Sequence, residues 1–197
     1  MAMPQRKNQR QEVIFMRNTD TGVQRLVMAA LFAALCCVST MIIQIPSPMN
    51  GYVNPGDCFV LLSGWLLGPL YGTLAAGIGS MLADLFTGYA HYALATFLIK
   101  GAMALTAYLL CKKLGAVLKE RKLLPMLLSA VSAECIMVVG YYFFAGLILG
   151  KGLGALGAAA SVPGNIMQGA VGAVLAILIM SLLRRQHIME RFHLHMP

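Results

Sequence analysis

Long apolar segments separated by short clusters of basic residues dominate this chain of 197 residues. A helix that spans the ~30 Å hydrocarbon core of a bilayer needs about 20 mainly apolar residues. Only 11% of the residues are charged, against roughly 25% in soluble domains. The sequence therefore predicts an all-α integral membrane protein, with six transmembrane helices in a single bundle.

The basic residues lie at alternate ends of these segments. They occur before and at the start of the first segment, in the stretch 112–122, and after the last segment at Arg184 and Arg185. The intervening connections carry one cation, Lys151. This asymmetry is the positive-inside pattern of a multi-pass plasma-membrane protein with both termini in the cytoplasm. The net charge of +8 therefore reflects membrane topology, and nucleic acid is not expected as a partner.

The apolar segments divide the chain into a cytoplasmic basic segment (1–21), a membrane domain (22–183) and a cytoplasmic basic tail (184–197). Only Gly68-Pro69 separates the second span from the third, and an uncharged, proline-rich loop is expected at 44–55. The six predicted spans are 22–43, 56–68, 70–86, 91–111, 123–147 and 162–183.

Polar residues interrupt the spans at middle and outer depth, while the inner half of each span is almost purely apolar. A charge at membrane depth costs at least ~2.5 kcal/mol on insertion scales, so its presence indicates a function or a specific partner. This distribution predicts a pocket that opens to the outside and binds a small polar solute. The candidate binding residues are Asn54, Asp57, Asp84, His91, Lys100, Glu134, Tyr141, Asn165 and Gln168.

Each candidate also has a structural interpretation. Lys100 and Glu134 lie at similar depth, so an ion pair that only fixes the bundle is one alternative. Asp57 would then only cap its own helix, and His91 and Tyr141 would belong to the rim and to an aromatic belt. The clustering of all these residues at one depth favours the binding interpretation.

The first span carries two rows of small residues, formed by Ala29 and Ala33 and by Ala30 and Ala34. Such rows let another helix approach closely, either from a partner protein or from within the same bundle. The five cysteines have no metal-ligand spacing, and "GLILGKG" lacks the spacing of a nucleotide-binding loop. We therefore expect no metal, no cofactor and no enzymatic activity.

Several motifs together resemble one family. They are "GYVNPGD", "LLGPLYGTLAAGIGSMLADLFTGY", "ATFLIKG", a mid-helix glutamate followed by "GYY", and "PGNIMQG". This set resembles the S component, the substrate-binding subunit, of energy-coupling factor (ECF) vitamin transporters. The resemblance covers about 22–183.

The resemblance implies a six-helix subunit that captures a vitamin from outside. It also implies docking on a transmembrane T component driven by two cytoplasmic ATPases, with Ala29, Ala30, Ala33 and Ala34 as the docking surface. The loop 44–55 would cover the occupied site. The implied ligand is pyridoxine- or hydroxymethylpyrimidine-like, or is riboflavin.

Three other functions stay open at the level of sequence. One is an autonomous secondary transporter driven by protons through Asp84 and Glu134. Another is an intramembrane hydrolase that uses Glu134 and His91. These two residues lie on different spans, and no second histidine lies on the same helix face. The third is a purely structural membrane subunit.

Overall fold

Five long helices make up the fold in the computed structural model, which describes residues 5–47, 51–118, 121, 123–154 and 157–186. All five contain segments that are long and apolar enough to cross a membrane. The prediction of six separate helices is therefore wrong as a count. The helices are α1 (Gln5–Ile42), α2 (Asp57–Phe86), α3 (Ala90–Val117), α4 (Leu124–Phe143) and α5 (Val162–Arg185).

Helix α2 accounts for the difference, because it contains the second and the third predicted spans. Its backbone leaves helical geometry at Gly68 (φ 80°, ψ −169°), a conformation that glycine adopts without steric cost. Pro69 follows at a point where the second half of the helix begins, and there its missing N–H costs little. The break predicted at Gly68-Pro69 is thus confirmed within one helical element.

The two halves of α2, residues 57–67 and 69–86, fold back on each other at this break. The Ser63 hydroxyl donates a hydrogen bond to the Gly72 carbonyl over 3.1 Å, although nine residues of continuous helix would separate them by about 13 Å. Gly72 also lies directly against the Ser63 carbonyl, where any side chain would collide. The chain therefore reverses direction at Gly68.

Contacts with α3 show the same reversal. Going along the first half of α2, Asp57 meets Lys100 and Gly64 meets Ala104, so this half runs parallel to α3. In the second half the order is opposite, since Thr73 lies against Gly101 and Gly77 lies against Phe97. A Cβ added at Gly77 would lie 2.9 Å from Phe97. The second half of α2 is therefore antiparallel to α3. Helix α3 thus packs against both arms of a helical hairpin.

The bundle has two chemically different ends. The end that we call the basic end carries Gly68 beside Tyr108, together with Lys112 and Arg184 near the ends of α3 and α5. The opposite end, which we call the polar end, carries Asn54, Asp57 and the start of α3. Between them lies a core of fully buried side chains: Trp65, Leu61, Leu62, Met103, Met126, Met137 and Met180.

Large apolar side chains cover the outside of the helices, as expected of a surface that contacts lipid. Leu94 is 71% exposed and Ile42 is 73% exposed. In water such a surface would be unfavourable, whereas in hydrocarbon it carries no transfer cost. The exposed surface therefore agrees with an integral membrane protein.

The connection predicted as a plain loop at 44–55 contains two short strands, β1 (Ile45–Ser47) and β2 (Gly51–Val53). They pair antiparallel, with Ile45 opposite Val53. The fold is therefore helical in every long element, with one small β-hairpin among the described residues. This hairpin leads directly into α2 at the polar end.

The segment between α4 and α5 is also partly helical, with a π-helical turn at Phe144–Ile148 and a 3₁₀ turn at Ala158–Ser161. Ser161 occupies the N-cap position of α5, but its hydroxyl donates back to the Ala158 carbonyl over 2.8 Å and does not cap the helix. Pro163 lies in the first turn of α5.

The reversal of α2 is tested by adding one methyl group at its tightest contact. Gly72→Ala should lower stability by about 1–3 kcal/mol, because the new Cβ meets the Ser63 carbonyl and neither backbone can yield cheaply. Gly22→Ala is the matched control, since a Cβ at this helical glycine meets nothing within 4 Å. Thermal unfolding in detergent measures both. Equal transition temperatures for the two variants would contradict the folded-back arrangement.

Candidate functional site

A buried ion pair lies at the centre of the polar end. The Lys100 ammonium group on α3 donates a hydrogen bond to Oδ1 of Asp57 at the start of α2, which makes a buried salt bridge. The second carboxylate oxygen, Oδ2, accepts a hydrogen bond from the Gln168 amide on α5 over 2.7 Å. All three residues are less than 5% exposed. Helices α2, α3 and α5 are therefore joined by one charged group.

Asn54 joins the β-hairpin to this ion pair. Its backbone N–H and its side-chain amide both donate to Oε1 of Gln168, over 3.0 and 3.3 Å. Its own Oδ1 accepts from the Gly56 N–H over 2.8 Å, which fixes the turn that begins α2. The end of the loop 44–55 is thus held in place by the same glutamine that contacts Asp57.

Asp57 has a different role from the helix cap considered above. The cap position of α2 belongs to Gly56, and Asp57 is the first helical residue. Its carboxylate is used entirely by Lys100 and Gln168. Gly172 permits this arrangement, because a Cβ there would lie 2.7 Å from the Asp57 Cβ. The glycine therefore lets α5 approach the start of α2 closely.

Met137 on α4 contacts the cluster from the remaining side. Its thioether sulfur lies 3.1 Å from the Lys100 nitrogen and 3.4 Å from the Gln168 amide nitrogen. Thioether sulfur is a weak acceptor, so these two donors are only partly satisfied. Nothing in the sequence distinguishes this methionine from the other 13, although it lies three residues after Glu134 and four before Tyr141.

Tyr141 extends the cluster along α4. Its hydroxyl donates to the Thr96 hydroxyl over 3.0 Å, and its ring centroid lies 5.7 Å from the Lys100 nitrogen. The latter distance is within cation–π range. Thr96 and Lys100 are four residues apart on α3 and therefore share a helix face, and both contact Tyr141.

Glu134 lies one turn before Met137 on α4 and is only 8% exposed. Neither carboxylate oxygen has a hydrogen-bond partner among the described residues. The side chain packs on Gly169, where a Cβ would lie 2.9 Å from Oε2. The alternative of a Lys100–Glu134 ion pair is wrong, because Lys100 pairs with Asp57 across the bundle.

The other candidates lie around this cluster. Asp84 is buried near the end of α2, and Asn165 is half-buried in the first turn of α5. His91 is exposed, and its ring contacts that of Tyr92 with 4.8 Å between centroids and a 53° tilt between the ring planes. The Lys151 ammonium group donates to the Tyr92 hydroxyl over 3.0 Å, a contact that the sequence did not predict. His91 therefore belongs to an aromatic rim and is separate from the buried cluster.

The alanine rows of α1 face two directions. Ala29 is buried and the Ala33 carbonyl lies against Gly79 of α2, so this row packs within the bundle. Ala30 and Ala34 are exposed on the outer surface. Only the second row is therefore open to another protein or to lipid.

The chain also shows clear similarity to known proteins. Residues 21–185 match the family described as ECF-type riboflavin transporter, S component. The chain belongs to this family. The resemblance inferred from the sequence motifs is thereby confirmed, and the polar cluster belongs to an S component with membrane-spanning helices.

Individual relatives agree with this assignment. The thiamine precursor transporter HmpT of Lactococcus lactis subsp. cremoris is 28% identical over 175 residues, which is 88% of this chain and 95% of HmpT. An uncharacterised protein of Pyrococcus woesei is 37% identical over 139 residues, covering 70% of this chain and 86% of that protein. A solved S component of a bacterial ECF transporter superposes with a TM-score of 0.68 at 25% identity, covering 83% of this chain and 97% of that structure.

The buried ion pair leads to a prediction about stability. Lys100→Met should destabilise the ligand-free protein by about 3–5 kcal/mol, because it leaves the Asp57 charge buried without its counter-ion. Adding Asp57→Asn to this variant should recover most of the lost free energy of unfolding, since neither position then carries a buried charge. Thermal unfolding in detergent measures the two variants.

Lys112→Met provides the control, because Lys112 is exposed and contacts only the Tyr108 hydroxyl at 3.4 Å. It should change stability by less than about 1 kcal/mol. Additive effects of Lys100→Met and Asp57→Asn would show that the two side chains do not act as a pair.

Proposed function

We propose that this S component captures a water-soluble vitamin or vitamin precursor at the polar end of its bundle. The observation that carries the proposal is the buried cluster of Asp57, Lys100, Gln168 and Glu134, in which charged and amide groups from four helices converge. Lipid is a poor ligand for such a site, since it offers few hydrogen-bonding partners. A small polar solute would match it.

The size of the ligand is proposed from the relatives and from the residues around the cluster. HmpT supports a hydroxymethylpyrimidine- or pyridoxine-sized molecule, whereas the family description supports riboflavin. The described residues of the cluster include one aromatic ring, that of Tyr141, within cation–π range of Lys100. We favour the smaller ligands, because riboflavin would require a longer aromatic stacking surface.

The membrane orientation is part of the proposal. Since α2 reverses at Gly68, its two halves are proposed to act as separate membrane passes, which gives six passes and places both termini in the cytoplasm. The basic end would then face the cytoplasm, in agreement with the positive-inside rule. Residues 57–67 rise only about 16 Å, so Asp57 would lie below the outer surface, under the β-hairpin.

Energy for uptake is proposed to come from partner proteins. Family membership supports a T component and two ATPase subunits as partners. The exposed row of Ala30 and Ala34, continuous with the packed row of Ala29 and Ala33, is the proposed docking surface on α1. The subunit itself would catalyse no reaction.

Identification of the co-purifying ligand tests the proposed function. Native mass spectrometry of the protein purified in detergent should reveal one bound vitamin-sized molecule, and Lys100→Met should reduce its occupancy. Liposomes that contain this protein alone should accumulate no solute. Uptake driven by a proton gradient without partners or ATP would instead establish an autonomous transporter.

Cysteine labelling tests the proposed orientation. The native cysteines are buried except Cys135, so Cys135→Ser provides the background. Ala90→Cys, at the exposed first residue of α3, should react with a membrane-impermeant maleimide in intact cells. Lys113→Cys, near the end of α3, should react only after permeabilisation. Reaction of both residues from the same side would contradict a single pass by α3.

A further inference from the structure

Glu134 is the one carboxylate of the cluster whose oxygens are both without hydrogen-bond partners in the described part of the chain. Its exposed fraction is only 8%. A buried polar group without a hydrogen-bond partner lowers the stability of the folded protein. Every other side chain of the cluster has a partner: Asp57 contacts Lys100 and Gln168, and Gln168 also contacts Asn54. The two oxygens of Glu134 are therefore unused acceptors at the centre of the site.

The charges of Asp57, Lys100 and Glu134 do not balance when Glu134 is ionised. Asp57 and Lys100 neutralise each other in the salt bridge. Glu134 forms no salt bridge with any described residue, so its ionised form leaves the three residues with one negative charge in excess. A ligand that supplies a positive charge, or at least N–H donors, would offset this excess.

Next to Glu134, around Met137 on the following turn of α4, the cluster presents N–H donors that lack a strong acceptor. Met137 lies three residues after Glu134, on the same face of the helix and about 5–6 Å away between Cβ atoms. At this point Lys100 and Gln168 direct N–H donors at a thioether sulfur, which accepts hydrogen bonds weakly. A ligand hydroxyl or ring nitrogen would be a better acceptor for these donors.

We propose that Glu134 recognises the amidine edge of an aminopyrimidine, and that Lys100 and Gln168 recognise an acceptor on the far side of the same ring. An exocyclic amine beside a protonated ring nitrogen presents two parallel N–H donors, which match the two oxygens of a carboxylate. The inference rests on the proposed function and selects one ligand class within it.

The other candidate vitamins fit Glu134 less well. The polar edge of the riboflavin ring system carries one N–H between two carbonyl groups, so a carbonyl oxygen would face one oxygen of Glu134. Pyridoxine offers a single pyridinium N–H without an adjacent amine. Bound through these ring edges, each would leave one oxygen of the buried carboxylate without a ring N–H donor. A site discriminates strongly against analogues that leave its polar groups unpaired.

Isothermal titration of the purified protein tests this inference with paired ligands and paired variants. The ligands are hydroxymethylpyrimidine, the analogue with hydrogen in place of its exocyclic amine, riboflavin and pyridoxine. The variants are Glu134→Gln and the control Ser132→Ala, a half-buried residue of the same helix whose hydroxyl donates to the Leu128 carbonyl over 2.9 Å.

The wild-type protein should bind the amino compound about 10- to 100-fold more tightly than the analogue that lacks the amine. Glu134→Gln should remove most of this difference by weakening only the amino compound, with the analogue changed by less than roughly threefold. Ser132→Ala should leave both affinities unchanged.

Three outcomes would overturn the inference. They are equal wild-type affinity for the two pyrimidines, equal weakening of both by Glu134→Gln, and tighter binding of riboflavin or pyridoxine than of hydroxymethylpyrimidine. In each of these the proposed function still stands. If none of the vitamins binds the wild-type protein, the proposed function itself fails. If Glu134→Gln does not fold, the two wild-type affinities alone decide.

Discussion

The polar end of this S component depends on one ion pair, between Lys100 and Asp57. Each charge alone would be costly at membrane depth, and together with the Gln168 amide they satisfy each other while joining three helices. Gln168 in turn fixes Asn54, the last residue of the β-hairpin connection before the turn into α2. The same glutamine thus contacts both the buried ion pair and the end of the β-hairpin connection.

Close helix packing makes this arrangement possible. Gly172 lets α5 approach Asp57, Gly169 lets it approach Glu134, and the reversal at Gly68 returns the second half of α2 past α3. The polar side chains themselves provide few of the contacts between helices, since most of the core is made of alanine, leucine and methionine. Packing by small residues thus supplies the rigid frame in which a few buried polar groups are held at defined distances.

Much of this organisation was predictable from sequence, because hydropathy and the positions of basic residues determine where a chain crosses a bilayer. The apolar segments and the break at Gly68-Pro69 follow from the hydropathy pattern, and so does the convergence of Asp57, Lys100 and Gln168 at one end of the bundle. The partner of Lys100 did not follow, since Asp57 and Glu134 are both acidic and only the helix crossing decides between them. The strands at 45–53 were hidden by Pro46, a residue type uncommon within sheets, and Met137 was indistinguishable from a core methionine.

A structure of the protein with its bound ligand, determined by cryo-electron microscopy, tests the central claim most directly. The account predicts density for one vitamin-sized molecule at the polar end, within hydrogen-bond distance of Glu134 on one side and of Lys100 or Gln168 on the other. The Asn54–Gln168 contact should persist, with the hairpin above the ligand. Density for the ligand at the exposed rim around His91 and Tyr92, with Glu134 still without a partner, would contradict it.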